Sequence, residues 1–232
     1  MEQTRFPCLG AFLSGRLMSR LPFHMRTGTH GKTGGQPPPV TYDSAVWTDE
    51  DLAGKTVLDA TCGARSIWFD KNNPIAIYCD VRREDLMGIY GHLPDYVVKV
   101  DPDITCDFTD LPFDDSSFRL AVLDPPHLHR LGKNSYIAKR YGWLPDGWEP
   151  MLRDGFRECM RVLKPGGVLV FKWSEHEIPS GRVWTAIGER PLFGHRSGKR
   201  SNTLWAAFLK PEDPGFTDHP ARFLPGRAPI RS

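Results

Sequence analysis

Residues 148–173 read WEPMLRDGFRECMRVLKPGGVLVFKW and join a helix pattern to a strand pattern. Apolar side chains recur at helical spacing across 148–163, which predicts a helix there. The KPGG segment at 164–167 predicts a turn, because proline cannot continue a helix and glycine favours a helix end. The next run, 168–173, is apolar except for Lys172, as in a strand buried on both faces. This order of elements predicts an α/β protein with a parallel sheet.

Further strand patterns lie on both sides of this unit. Each is a short apolar run that is closed by small or polar residues. The runs are 56–60, 75–80, the weaker 97–106, 120–123, 192–193 and 204–209, and a second helix pattern covers 181–189. Apolar strands that alternate with helices predict a parallel sheet whose two faces are both covered.

The ends of the 232-residue chain have a different composition. Residues 1–45 combine glycine, a run of three prolines and basic side chains, which predicts a flexible basic N-terminal tail. Residues 211–232 hold five prolines and few large apolar residues, which predicts a flexible C-terminal tail. The folded domain is therefore expected at 46–210.

Bulk composition excludes several classes of protein. Hydrophobic residues make up 40% and charged residues 25%, as in ordinary globular proteins. No apolar run approaches the length of about 18 residues that a membrane span needs, so no membrane partner is expected. The five cysteines are scattered without a Cys-x-x-Cys pair, which favours neither a metal site nor a disulfide framework. A reducing compartment fits this usage, so a cytoplasmic location is expected.

Basic residues are unevenly distributed, although the formal net charge is only +2. Three stretches, 5–40, 125–145 and 190–210, contain basic residues and no acidic residue. A solvated surface accounts for any one of them. Three such stretches in one chain favour a polyanionic partner such as nucleic acid.

Two strand patterns end in residues suited to a nucleotide-like ligand. In open α/β sheets, ligands bind beyond the carboxyl ends of the strands. Small residues around Gly63 follow the first strand and let the backbone approach a ligand, and Asp80 ends the second strand, where it can accept from ribose hydroxyls. The turn lacks the Gly-x-Gly-x-x-Gly pattern of nicotinamide binding and the Gly-Lys-Ser/Thr phosphate loop. A turn without any ligand is the alternative.

Two longer segments carry a family resemblance. CDFTDLPFDDSSF at 106–118 and RVLKPGGVLV at 161–170, together with 57–63 and Asp80, resemble class I S-adenosylmethionine-dependent methyltransferases. The matching segments follow in the right order across 56–210. The chain looks most like small stand-alone methyltransferases of phage and bacterial chromosomes. The resemblance implies a doubly wound, mostly parallel seven-stranded, Rossmann-like sheet with a C-terminal antiparallel strand, and S-adenosylmethionine as cofactor.

The resemblance also implies roles for single residues. Asp80 would hold the ribose, Asp107 would accept from the adenine amino group, and Phe108 would pack near that ring. Asp59 and Gly63 would border the methionine moiety, and Thr61 and Cys62 between them are also predicted to bind the cofactor. Many relatives have Gly-x-Gly in this turn, whereas this chain has TCGAR at 61–65. A loop-capping carboxylate is the alternative role for Asp107.

The corner Asp124-Pro125-Pro126-His127 follows the strand 120–123 directly. It resembles the Asp/Asn-Pro-Pro-aromatic motif of enzymes that methylate amino groups on planar systems. Such an amine is a poor nucleophile because its lone pair is delocalised into the ring. A carboxylate and a backbone carbonyl that both accept from the NH₂ group favour electron density at nitrogen, and the prolines fix that carbonyl. His127 would stack on the target ring, and a capped, proline-rich strand end is the alternative for the whole corner.

The insertion at 128–147 has the composition of a nucleic-acid surface. Its predicted substrate-binding residues are Arg130, Lys133, Tyr136, Lys139, Arg140 and Tyr141, to which Lys172 is added from the neighbouring strand. A mobile loop beside the pocket would suit a base that has left its stack. The alternative is a lid that packs Tyr141 and Trp143 on the body.

These observations predict methylation of N6 of adenine in DNA or RNA. Methylation of the ribose 2′-oxygen is an alternative, because Lys172 interrupts its strand as a catalytic lysine does in that family and Asp124 would match its acid. The alternative for Lys172 is a side chain that snorkels out of the sheet. A guanine or glutamine amino group as the acceptor, and a binding subunit without catalysis, are further alternatives.

Overall fold

The computed structural model describes residues 46–48, 50–88, 92–93, 95–130, 135–198 and 202–212. The predicted N-terminal tail, Lys133 and all but two residues of the predicted C-terminal tail lie outside these ranges, so the predictions for them stay predictions. The described residues form nine strands and three helices.

The strands are β1 (Val57–Asp59), β2 (Ala76–Asp80), β3 (Glu84–Met87), β4 (Val97–Val100), β5 (Ile104–Thr105), β6 (Phe118–Leu123), β7 (Leu163–Ser174), β8 (Phe193–Arg196) and β9 (Thr203–Leu209). The helices are α1 (Tyr136–Tyr141), α2 (Glu149–Val162) and α3 (Ser180–Ile187). The helices predicted at 148–163 and 181–189 are therefore confirmed. Within the described ranges, no helix is long and apolar enough to cross a membrane.

Seven strands form the main sheet in the order β5-β2-β1-β6-β7-β9-β8. The first five of these run parallel, β9 runs antiparallel to β7, and β8 runs antiparallel to β9. The expected mostly parallel seven-stranded sheet with a C-terminal antiparallel strand is confirmed. Because parallel strands end on the same side, this order brings the carboxyl ends of β2, β1 and β6 together.

One face of the main sheet is covered by α2 and α3. Phe156 of α2 and Trp184 of α3 both make edge-to-face contacts with Phe208 of β9, at centroid distances of 5.0 and 5.6 Å. Trp184 also meets Phe171 of β7 at 5.5 Å. Such aromatic pairs each add about 0.5–1.5 kcal/mol beyond the area that they bury.

The opposite face near β1 and β2 is covered without a helix. The connection 60–75, which is described throughout, contains turns only. Trp68 from this connection packs on Tyr78 at 5.0 Å, next to the buried Val57 and Ala76. Asparagine and proline at 72–74 favour turns in this connection, and one tryptophan supplies the apolar cover.

The segment 97–106 is not one strand, as the sequence pattern predicts, but two. Val97–Val100 pairs antiparallel with β3 in a separate two-stranded sheet, whereas Ile104–Thr105 pairs parallel with β2. Asp101-Pro102-Asp103 separates them. Proline has no N–H for a sheet ladder, so the pairing changes partner at this point.

The predicted KPGG turn is a bulge at the start of β7. Phe118 pairs with Leu163 and Leu120 pairs with Val168, so residues 164–167 protrude opposite Arg119. Gly166 takes a φ of +73°, which favours glycine. The segment stays within the strand because Gly166 N–H donates to Lys210 O and Lys210 N–H donates to Gly167 O.

Candidate active site

Four parts of the predicted site lie at the carboxyl ends of parallel strands of the main sheet. They are the cofactor turn, Asp80, Asp107 and the corner at 124–127. Asp59 ends β1, Asp80 ends β2, and Asp107 follows β5 by two residues. Asp124 follows β6 directly. The fold therefore brings these carboxylates to one edge of the sheet, although they come from distant parts of the chain. Among the described residues, no group of three or more His, Cys, Asp or Glu is placed to hold a metal ion.

Asp59 is fully buried beneath the first turn. Trp68 Nε1–H donates to its Oδ2 at 2.6 Å, and Thr61 N–H donates to its Oδ1 at 3.2 Å. Burial raises the pKa of Asp59 to about 7, and the nearby carboxylates of Asp124 and Asp80 add to the effect. Asp59 thus holds the turn in shape, and its contact with a methionine moiety stays a prediction. Trp68 was not found by sequence reasoning, because nothing in the local pattern links it to Asp59.

The first turn is tied to the second strand and remains open above Gly63. Cys62 N–H donates to Cys79 O at 2.7 Å, and Gly63 N–H donates to Asp80 Oδ2 at 2.9 Å. Gly63 has a φ of +48°, and a Cβ built there would meet no atom within 4 Å. The space over this glycine is therefore available to a ligand.

Asp80 already accepts three hydrogen bonds from the chain itself. Besides Gly63, Arg82 donates to its Oδ1 from the backbone N–H at 2.9 Å and from Nε at 3.2 Å. A carboxylate offers about four lone-pair sites, so a ribose diol would compete with Arg82 Nε. The same guanidinium donates to Lys139 O at 3.0 Å and to Arg140 O at 3.4 Å. Arg82 therefore joins Asp80, the predicted ribose acceptor, to the end of α1. Sequence reasoning missed Arg82, although its position two residues after Asp80 could have indicated the contact with that carboxylate.

Asp107 and Phe108 are held in the loop after β5. Asp107 Oδ1 accepts from Thr109 N–H at 2.9 Å and from Thr109 Oγ1–H at 2.8 Å, which is the loop-capping role named as the alternative. The Phe108 ring lies against Gly155 of α2, where an added Cβ would be 2.3 Å from the ring. Phe108 therefore packs on the helix, and the adenine contacts of both residues stay predictions.

Asp124 is the most unusual carboxylate of this edge. Its backbone N–H donates to Thr61 Oγ1 at 2.8 Å, which links the corner to the first turn. Its Oδ2 accepts from Lys172 Nζ at 2.5 Å. Its Oδ1 is buried and has no hydrogen-bond partner among the described residues. A buried acceptor without a partner costs about 1–3 kcal/mol, so an incoming N–H or O–H donor would be favoured there.

Lys172 reaches Asp124 from the neighbouring strand β7. Its ammonium also lies 5.8 Å from the centroid of the Trp205 ring. The side chains of Lys172 and Asp124 are only 20% and 15% exposed. The alternative of a lysine that snorkels into solvent is therefore wrong, since its charge ends on a partly buried carboxylate.

His127 turns back onto the corner. Its Nδ1 lies 3.0 Å from Pro125 O and 3.8 Å from Asp124 Oδ1, and its ring meets the edge of Trp173 at 5.8 Å. Burial lowers the pKa of His127 below its usual range, and Lys172 acts in the same direction. A neutral ring that donates from Nδ1 to Pro125 O agrees with this environment. The stacking of His127 on a target ring stays a prediction.

The insertion 128–147 is partly ordered by the body of the domain. Glu177 Oε2 accepts from His129 N–H at 2.7 Å and from Arg130 N–H at 2.9 Å. Ala138 of α1 and Leu144 are buried. Tyr136, Tyr141 and Trp143 are 39%, 41% and 45% exposed, so the nucleic-acid surface and the lid that packs Tyr141 and Trp143 on the body both stay predictions.

Comparison with solved structures gives likenesses of low identity. The [4+2]-cyclase SpnF is 18% identical over 66% of this chain and 60% of its own, with a TM-score of 0.39. An rRNA methylase from Streptococcus thermophilus is 14% identical over 70% of this chain and 94% of its own, with a TM-score of 0.41. The N-methyltransferase NodS from Bradyrhizobium japonicum WM9 is 16% identical over 71% and 94%, with a TM-score of 0.40.

This chain thus spans less than two thirds of the length of the cyclase. No protein-family model and no curated protein matches the sequence. The fold assignment rests on the order and direction of the strands, which are those of the Rossmann-like sheet that the sequence predicts.

Proposed function

We propose that this chain is an S-adenosylmethionine-dependent methyltransferase that acts on an exocyclic amino group, namely N6 of adenine in DNA or RNA. The observation that carries the proposal is the state of Asp124. One carboxylate oxygen is paired with Lys172, while the other is buried without a hydrogen bond among the described residues. An amino group offers the N–H donor that this oxygen lacks.

The residues at the sheet edge suit the cofactor. The open backbone at Gly63 would lie against the methionine moiety, Asp80 would accept from the ribose, and Asp107 from the adenine. A ribose diol that binds Asp80 would displace the Arg82 Nε–H from one acceptor site of the carboxylate. When bound, S-adenosylmethionine supplies an electrophilic methyl group on a positively charged sulfur.

The corner has the groups that an aromatic amine needs. Asp124 Oδ1 and Pro125 O would each accept one N–H of the amine, which favours electron density at nitrogen. The paired prolines fix the backbone around that carbonyl, and a neutral His127 would also donate to it from Nδ1, which lies 3.0 Å away. Lys172 pairs with Asp124 Oδ2 and would hold the carboxylate in place. The amine nitrogen would form a bond to the methyl carbon as the bond from that carbon to sulfur breaks, S-adenosylhomocysteine would leave, and the methylated nitrogen would lose its proton to water. Catalysis would then come from positioning and electrostatics.

A polynucleotide substrate is supported by the surface beside the corner. The partly exposed Tyr136, Tyr141 and Trp143 are interleaved with Arg130, Lys139 and Arg140. Exposed rings stack on bases, and cations bind phosphates.

A radioactive transfer assay tests the proposal. The full chain is incubated with tritiated S-adenosylmethionine and DNA, tRNA, rRNA or small amines, and labelled polymers are digested to nucleosides for mass spectrometry. The proposal expects the label on N6-methyladenine. Label on another amino group would refute the adenine assignment, and no transfer to any acceptor would refute the function as a whole.

Methylation of the ribose 2′-oxygen is the second candidate, favoured by one observation. Lys172 Nζ and Asp124 Oδ2 lie 2.5 Å apart, so a lysine and an acid meet at the transfer edge. An enzyme that methylates the ribose 2′-oxygen is expected to have a glutamate on the last strand, in addition to the lysine and the acid. The strand β9 (TLWAAFL) contains no glutamate. In the same digest, 2′-O-methyl nucleosides would support this candidate.

A further inference from the structure

A groove of about 690 Å³ lies beside the first turn. One wall consists of residues 63–66 with Lys71 and Asn72, and the other of Tyr96–Lys99 with Arg83 and 101–103. Arg140 of α1 also lines it, whereas Asp80, Asp107 and Asp124 do not. The groove therefore adjoins the proposed cofactor turn at Gly63 but does not include the three carboxylates, and it reaches the substrate segment through α1.

Positive charge dominates this groove. Its lining includes the basic residues Arg65, Lys71, Arg83, Lys99 and Arg140 and the acidic residues Asp101 and Asp103. Asp101 is shared, because Lys99 Nζ lies 3.0 Å from Oδ2 while Arg83 contacts Oδ1. Arg65 lies 3.2 Å from Asp103 Oδ1. Two carboxylates thus face five cations, so the lining carries an excess of positive charge.

The basic residues of the groove differ in how firmly they are held. Arg65 donates to Lys71 O and to Asp101 O, each at 2.7 Å, so it joins the two walls. Lys71 is exposed, and Lys99 and Arg83 have side chains that are 65% and 51% exposed. Arg65 therefore shapes the groove, and Arg83 is held by hydrogen bonds to Asp101 Oδ1 and Pro102 O, while Lys71 and Lys99 are exposed enough to turn towards an anion.

We propose that this groove binds the phosphates of a single-stranded polynucleotide that flanks the base at the corner. The inference rests on the proposed function and adds a second contact region to it. Tyr96, which is 53% exposed, presents a ring beside the cations, as in surfaces that bind single strands. Arg140 belongs both to the groove and to the substrate segment, so the strand would pass over α1 between them.

Fluorescence anisotropy with labelled single-stranded 20-mers of DNA and RNA tests the groove at several salt concentrations. The test variant is K71Q/K99Q. The control variant is R153Q/R182Q, which removes the same charge from α2 and α3 outside the groove and also loses surface ion pairs. Because each phosphate contact on a single strand contributes about 0.7 to the slope of log K against log salt, K71Q/K99Q should lower that slope by about 1.4. The control should match the wild type.

Arg83→Gln is a second, independent variant, with an expected loss of about 0.7 in the slope. Thermal unfolding of each variant shows whether the fold is kept. If the wild type binds a polynucleotide and both groove variants keep its slope, the groove proposal is overturned while the proposed function stands. If the wild type neither binds nor methylates any polynucleotide, the proposed function itself has failed. Tighter binding to a duplex of the same sequence would overturn the single-strand assignment.

Discussion

Asp80 and Asp124 lie at the same edge of the sheet, but they differ in the hydrogen bonds that they accept from the rest of the chain. Asp80 accepts from Gly63 and twice from Arg82, so its oxygens are largely satisfied without a ligand. Asp124 is paired through Oδ2 only, and Oδ1 is buried with no partner among the described residues. A satisfied acceptor gives up a bond when a ligand arrives, whereas an unsatisfied one gains a bond. The comparison indicates that binding at Asp80 involves exchange and that Asp124 is prepared for a donor.

Removing the unsatisfied acceptor has the largest expected effect. Asp124→Ala should lower methyl transfer by about 10²–10³-fold, as the loss of one preorganised electrostatic group does in other enzymes. Asp124→Asn is the matched control, since it keeps one acceptor oxygen and should retain more activity than alanine. Calorimetric titration with S-adenosylmethionine should show that both variants still bind it. Full activity of Asp124→Ala would remove Asp124 from the mechanism.

Removing Lys172, the ion-pair partner of Asp124, has the next largest expected effect on methyl transfer. Lys172→Met should lower transfer by about 10- to 100-fold, because a hydrogen bond to a charged group is worth about 1.5–3 kcal/mol. Lys172→Arg keeps the charge and should recover part of the loss. Single-turnover kinetics at saturating cofactor separate this effect from binding. Equal rates for Lys172→Met and the wild type would show that the ion pair does not position Asp124.

A third acidic side chain, Asp59, extends the comparison to a group whose pKa is raised by burial. Its pKa is about 7 when folded and near 3.8 when unfolded, so its contribution to stability is full below pH 4 and lost by pH 7. Between those values, the free energy of unfolding of the wild type should fall by about 1.4 kcal/mol per pH unit relative to Asp59→Asn. Urea unfolding of both proteins at pH 5, 6 and 8 measures this. A difference that does not change with pH would contradict the raised pKa.

Arg82 has the smallest expected effect. Arg82→Ala should tighten S-adenosylmethionine binding by about two- to fivefold, since the ion pair that it gives up is partly exposed and worth about 0.2–1 kcal/mol. Calorimetry measures the change, with Arg182→Ala as a control for the loss of an arginine elsewhere. Weaker binding would show that Arg82 helps to hold the cofactor instead of competing with it.

The carboxylates at the sheet edge could be predicted because each follows an apolar run. Asp59, Asp80 and Asp124 end such runs, and parallel strands place their ends side by side. The helices at 148–163 and 181–189 followed from the same periodicity, and the mostly parallel seven-stranded sheet followed from the family resemblance.

The contacts that distinguish these carboxylates could not be predicted in the same way. Trp68 reaches Asp59 and Arg82 reaches α1 through tertiary contacts that leave no local pattern. The hairpin of β3 and β4 was not predicted, because the strand pattern at 97–106 does not show that Val97–Val100 pairs with 84–87. Sequence periodicity identifies which residues lie in a strand but not which strand they pair with.

A crystal structure of the full chain with S-adenosylhomocysteine tests the central claim most directly. We expect the ribose on Asp80 with Arg82 Nε displaced, and the sulfur facing Asp124 Oδ1 across the carboxyl edge of the main sheet. A structure in which Arg82 still covers Asp80, and in which the ligand lies away from this edge, would contradict it.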